Sequence, residues 1–137
     1  MMTADELVTE ARRLIGTPFQ HQGRIPGVGI DCGGVIVHLM GLCGIEYDID
    51  GYSRIPTGDR LKQHCDAMLE NKSKYALEAG DVLLFSVKRD PQHIGLCAGR
   101  TMIHAWYSKH GGSVIETTLG PDWTNRLVAA YRIPGVS

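Results

Sequence analysis

From residue 81 to residue 133 the chain strings together five short β-rich segments with little but turn residues between them. They read DVLLFSV (81–87), HIGLCA (93–98), TMIHAWY (101–107), SVIETT (113–118) and LVAAYRI (127–133). Segments of this length and composition are strands. What precedes them is helical. Thr3 with Glu6 has the capping-box pattern, and Leu7, Ala11, Leu14 and Ile15 recur at helical spacing until Gly16 and Pro18 stop the run. Residues 17–30, rich in Gly and Pro, read as a loop. A second helix is predicted to start at Asp31–Cys32, with Val35, Ile36, Leu39 and Met40 on one stripe, and to end around 41–44. A third, over 59–71, carries Leu61, Cys65, Met68 and Leu69 at the same spacing. Helices followed by strands, without alternation, predict an α+β domain, its N-terminal helices packed on a central antiparallel sheet of about five strands. A nucleotide-binding α/β fold is excluded on the same ground. With 137 residues, no repeat and no low-complexity tract, the chain reads as a single domain over 1–137.

Composition narrows the function. A hydrophobic share of 43% against 21% charged residues is that of a folded domain. A formal net charge of −1 offers no basic excess with which to bind nucleic acid. No apolar run approaches the roughly 18 residues of a membrane span, and the N-terminus lacks the pattern of a secretory signal. The expectation is a protein made in the cytoplasm, with delivery elsewhere left to something else. The four cysteines (Cys32, Cys43, Cys65, Cys97) have no CxxC spacing, so neither a zinc cluster nor a disulfide framework is expected.

Cys32 is the residue with chemistry in it. Asp31 is a good N-cap, which puts Cys32 at the first helical position, where the helix dipole favours thiolate over thiol. Gly33 and Gly34 weaken a helix, each interior Gly costing about 1 kcal/mol against Ala. Their use here is an open approach to the thiol and bare amides for an oxyanion. A buried structural thiol beside a packing glycine pair is the alternative. A thiol nucleophile needs a base. If Gly99-Arg100 forms a two-residue turn, Cys97 pairs with Met102, Gly95 with His104 and His93 with Trp106. His93, Gly95, Cys97, Met102, His104 and Trp106 then share one face, and His93 and His104 become diagonal neighbours with Gly95 clearing the space between. His93 takes the thiol proton and His104 orients it. The alternatives are two unrelated histidines, or a two-histidine metal site that lacks a third ligand. His21 can line a site from its loop. His38 is expected at the surface or half-buried, His64 on the polar side of its helix and His110 in a turn. Cys43, Cys65 and Cys97 read as core thiols, Asp81 as a turn former, and Trp106 and Trp123 as packing or groove residues.

Laid out in this order, the chain resembles the NlpC-type peptidoglycan endopeptidases, papain-like cysteine enzymes of bacterial walls and phage tails. The resemblance rests on LIGTPFQHQGRIPGVGIDCGGVI, AGDVLLFS, QHIGLCAG and MIHAW, four segments in family order with eleven residues from His93 to His104. It implies Cys32 as nucleophile, His93 as base and His104 as orienting residue; no cofactor or metal is expected. It implies a stem-peptide substrate, commonly the bond joining D-glutamate to a diamino acid. Two departures stand out. Phe19 occupies a place where many members carry Tyr, and Gly33 a place where many carry Ser, so hydroxyls of the substrate and oxyanion region are missing. The long loop ahead of Cys32 resembles the phage-tail branch, which implies tail-tip partners and action in the virion or at the wall. A fold kept as a structural tail-tip protein without turnover, or a related Cys–His amidase or acyltransferase, are the rival readings.

Overall fold

A computed structural model describes residues 2–52, 58–108 and 111–137. Among these residues the elements run α1 (Ala4–Arg12), β1 (Arg24–Ile25), β2 (Gly29–Ile30), α2 (Cys32–Leu42), α3 (Arg60–Met68), β3 (Glu70–Lys72), β4 (Asp81–Ser86), β5 (Pro91–Cys97), β6 (Thr101–Ser108), β7 (Gly111–Thr118), α4 (Pro121–Thr124) and β8 (Leu127–Arg132).

Both arms of the capping box form, Thr3 Oγ1 accepting from the Glu6 amide and Glu6 Oε1 from the Thr3 amide. The regular helix ends at Arg12, and Ile15, expected on the apolar stripe, is 45% exposed in the turn that follows. The main sheet is antiparallel throughout, in the order β3-β8-β4-β5-β6-β7. It has six strands where five were expected. The extra one, β3, starts in the last two residues of the expected third helix, which ends at Met68 instead, and runs one residue beyond that range. Its sequence, Glu-Asn-Lys, is polar because it pairs with β8 at the sheet edge, and a strand without an apolar alternation leaves no periodic signal. Two more short strands, β1 and β2, form a separate two-stranded ribbon inside the expected loop.

The sheet is covered on both faces. Val82, Leu84, Ile94, Leu96, Ile103 and Ala105 pack with Leu7, Val35, Ile36 and Leu39 of α1 and α2. Leu83, Phe85, Cys97, Met102, Leu127 and Ala130 form a second cluster on the other face, against which Leu119 and Trp123 pack. This is why β4 reads as a continuous apolar run. Each Val, Leu, Ile, Phe or Met among them contributes about 1.5–3 kcal/mol when fully buried. Asp81, read as a turn former, does accept from the Glu78 amide at 2.7 Å, and also pairs with Lys72 (2.7 Å) and Arg132 (2.9 Å), tying β4 to its neighbours.

Residues 17–30 are stitched down rather than loose. The Phe19 amide donates to the Gly112 carbonyl (2.9 Å), the Ile30 amide to the Pro18 carbonyl (3.0 Å) and the Gly27 amide to the buried Thr17 hydroxyl (3.0 Å). The segment therefore runs from β7 to the start of α2 as one wall.

Candidate active site

Asp31 caps α2 as the sequence predicts, accepting from the Gly34 amide at 2.9 Å, with Cys32 as the first helical residue. The cap is part of a larger buried network. One carboxylate oxygen takes the Gly34 amide and Arg24 Nη1 (2.9 Å), and the other takes the Gln22 amide (2.6 Å) and the Tyr52 hydroxyl (2.5 Å). Arg24 is itself held by Asp48 (2.8 Å), the Ile49 carbonyl (2.7 Å) and Tyr52 (3.1 Å). Gln22 reaches Asp31 by adopting φ +57°, a left-handed conformation that a non-glycine residue holds only when its surroundings enforce it. The Asp31 carboxylate, grouped by its position beside Cys32 with the substrate and oxyanion region, is thus fully subscribed by protein donors.

The two glycines need the same correction. A Cβ on Gly34 would collide with the Gly23 carbonyl oxygen and Ile30, and one on Gly33 would sit 3.0 Å from the Tyr52 hydroxyl. Their missing side chains make room for the loop and the network. The Gly34 amide is not bare either, being spent on Asp31.

Cys32, His93, Phe19, His21 and Trp106 line one cleft of about 590 Å³, with Gln20, Val87, Gln92, Ala105 and Tyr107 completing it. Phe19 packs on Tyr107 with ring centres 5.5 Å apart, and His21 stands edge-on to Tyr52 at 5.7 Å. The hairpin forms with the expected register, Leu96 opposite Ile103 and Cys97 opposite Met102. A Cβ on Gly95 would lie 3.1 Å from that of His104, so the glycine does admit the histidine. His93 Nε2 meets His104 Nδ1 at 2.6 Å, and His104 Nε2 meets the Thr117 hydroxyl at 3.0 Å. A chain in which His93 Nε2–H donates to His104, and His104 Nε2–H to Thr117, leaves His93 Nδ1 as the free lone pair of a base.

Burial sets the protonation of this pair. Desolvation, followed by the nearby Asp31 charge, pushes the Cys32 thiol up to about 12, against the pull of the Ile94 and Gly33 backbone. The helix end favours a thiolate at Cys32, but the sheet covers the sulfur and leaves the residue 7% exposed, so desolvation outweighs the dipole. Desolvation also holds His93 well below 6.5, with His104 adding to the effect, and holds His104 at about 4. The resting couple is a neutral thiol beside a neutral imidazole.

Two residues of this region, Tyr52 and Arg24, carry no local signal in the sequence, while Thr117 and Trp123 carry a partial one. Tyr52 and Arg24 are joined to Asp31 only by the fold. Thr117 could have been found by continuing the alternation one strand further, since His104 pairs with Ile115 and Thr117 lies two residues on. Trp123, read as a packing or groove residue, sits 5.5 Å from His93, 5.3 Å from His104 and 5.2 Å from Trp106, ring centre to ring centre. His64, expected on a polar face, is buried between the Tyr47 hydroxyl (2.6 Å) and the Asp50 carbonyl (2.7 Å), because the segment after α2 folds over α3. His38 is half-buried on α2, and His110 lies outside the described residues. All four cysteines are free. Among the described residues, no three His, Cys, Asp or Glu side chains group to hold a metal ion, and no helix is long and apolar enough to cross a membrane.

The NlpC/P60 family model matches residues 16–132. No curated protein sequence matches the chain. Among solved structures, an NLP/P60 family protein of Staphylococcus aureus, described as similar to lipoprotein, superposes with a TM-score of 0.66 at 21% identity over 95% of this chain and 41% of that one. An NlpC/P60 family protein of Bacillus cereus gives 0.68 at 22% identity, over 96% and 40%. The NlpC/p60 domain of the peptidoglycan hydrolase SagA gives 0.65 at 24% identity, over 96% and 100%. The chain thus spans about two fifths of the first two proteins and the whole of the third.

Proposed function

This chain belongs to the NlpC/P60 family, and from that premise we propose that it is a cysteine peptidase acting on the peptides of peptidoglycan. The observation that carries the proposal is the shared cleft, lined by both Cys32 and His93, with His93 backed by His104 at 2.6 Å.

The chemistry follows from the neutral resting pair. As the Cys32 sulfur attacks the scissile carbonyl, its proton passes to His93 Nδ1, so thiolate forms only in the act of attack. The hydrogen bond from His93 Nε2 to His104 holds the ring and spreads the imidazolium charge. The tetrahedral intermediate then collapses, the C–N bond breaks, and His93 returns its proton to the leaving amine. A water, deprotonated by His93, attacks the thioester and releases the carboxylate with the thiol restored. Histidine in third position cannot neutralise the imidazolium as a carboxylate would. Its role here is orientation.

The finer assignments, cleavage between D-glutamate and a diamino acid and service in a phage or phage-like tail, are supported by the sequence resemblance alone. The test is digestion of purified sacculi by the wild type and by Cys32→Ala, with fragments read by mass spectrometry. The wild type releases peptides with new amino termini and the variant none; full activity in Cys32→Ala sinks the proposal. A second reading, a fold retained without turnover, is favoured by Phe19, whose ring brings no hydroxyl to the cleft. It predicts that neither protein releases fragments. Amidase or acyltransferase chemistry at the same thiol would show as different products.

A further inference from the structure

The segment from β7 to β8 crosses behind the histidine pair as a strap. Its first residue is tied to the β5–β6 turn by the Leu119 amide on the Arg100 carbonyl (2.9 Å), and its far end to β4 by the Ser86 amide on the Arg126 carbonyl (2.8 Å). Between these ties, α4 is a single turn with Pro121 at its start, and the Trp123 and Arg126 amides close it at 3.0 and 2.9 Å. That geometry aims one side chain inward. The Trp123 ring lies against Phe85 (5.1 Å), His93, His104 and Trp106, all within the range of direct ring packing. Trp123 is absent from the cleft lining that holds Cys32 and His93. It meets the histidines from outside the cleft.

We propose that Trp123 is a positioning residue for the reaction: it closes an aromatic cage around His93 and His104, fixing the ring that receives the thiol proton and keeping water from the pair. The inference rests on the reading of His93 as the base. A ring held by packing on Phe85, Trp106 and Trp123 and by one hydrogen bond to His104 has a single orientation, which is what proton transfer to a fixed nitrogen requires. The groups packed on His93 are Phe85 of β4, His104 and Trp106 of β6 and Trp123 of α4, and Cys32 of α2 shares its cleft; of these Cys32 and His104 titrate. On the strap itself Asp122 and Arg126 are exposed. With water excluded, both histidines resist protonation, in line with the direction found for each.

The experiment has one readout that needs no turnover. In a Cys32→Ala background, the ring protons of His93 and His104 are titrated by NMR with and without Trp123→Ala; in the active protein, kcat and KM are followed against pH. Removal of Trp123 is expected to raise the histidine midpoints by about one pH unit toward 6.5. It should lower kcat between about tenfold and a hundredfold, with KM held, because the residue shapes the base and not the cleft. A folded Trp123→Ala protein with unchanged histidine titration overturns the proposal, as does a change confined to KM. Should that variant not fold, Trp123→Leu, which keeps bulk without an aromatic ring, is titrated in its place: raised midpoints support the cage and unchanged midpoints overturn it. A parent whose histidines titrate as caged but which cleaves nothing sinks the hydrolase reading and leaves the cage standing.

Discussion

Replacing Arg24 by methionine tests what holds the nucleophile in place. The substitution keeps the stem of the side chain and removes the charge that pairs with Asp31 at 2.9 Å. Deleting one partner of a buried ion pair costs about 3–5 kcal/mol. Two facts reduce that figure here. The Arg24 side chain is 22% exposed, so its pairing is partly screened, and Asp31 keeps the Gly34 and Gln22 amides and the Tyr52 hydroxyl. Against this, Arg24 also loses Asp48, the Ile49 carbonyl and Tyr52, which pin the segment after α2. The net expectation is a loss of about 2–3 kcal/mol. At about 2.1 cal/mol/K of unfolding entropy per residue, that lowers Tm by about 7–10 °C for a chain of this size. Denaturant unfolding and calorimetry of Arg24→Met, Asp31→Asn and the double variant give the coupling directly. Because Asp31 is the cap of the helix that starts with Cys32, kcat should fall with stability in both single variants, and the double variant should cost less than the two summed. A loss below about 0.5 kcal/mol in Arg24→Met, or strict additivity, refutes the claim that Asp31 depends on this arginine.

The remaining predictions are shorter. His104 has a folded pKa of about 4 against 6.5, so below 6.5 the unfolded chain binds the proton that the folded one refuses. Stability present above 6.5 should therefore drain away as pH falls from 6.5 to about 4, by about 3 kcal/mol from this residue, and His104→Gln should flatten the Tm–pH curve in that window. Alkylation of Cys32 by iodoacetamide should keep accelerating by about tenfold per pH unit from pH 7 to 10, since thiolate is scarce until high pH; a plateau below pH 8 contradicts the raised thiol. Gly34→Ala should destabilise despite a helix-propensity gain of about 1 kcal/mol, because the added methyl meets the Gly23 carbonyl, and thermal unfolding that shows a net gain rules that clash out.

Local signals were legible in the chain, and long-range ones were not. The register of the histidine hairpin could be read because a short Gly-Arg turn fixes parity and the side-chain period of a strand is two. Capping at Thr3 and Asp31 could be read because each cap partner lies three residues away. Tyr52, twenty-one residues from Asp31, has no such signature, and neither does Arg24 in a stretch that looks like a loop. The strands β1 and β3 are too short and too polar to carry a period. The thiolate expectation failed for a related reason. A helix end is visible in sequence, whereas the desolvation that outweighs it comes from strands sixty residues away. Trp123 reaches the histidines because of where its strap is tied, and the ties are backbone hydrogen bonds that side-chain patterns do not encode.

The stitched segment from Thr17 to Ile30 makes the substrate wall and the nucleophile's footing one piece of chain. Phe19 and His21 face the cleft, Gln22 and Arg24 hold Asp31, and Cys32 follows directly. An insertion or swap intended to reshape that wall is transmitted to the sulfur. Val87 and Gln92, at the β4–β5 turn, also line the cleft and carry no part of the Asp31 network. That asymmetry divides the cleft into a side that can diversify and a side that cannot. Retargeting this scaffold to a new peptide should begin at residues 87–90, the turn between β4 and β5, which takes no part in seating Cys32.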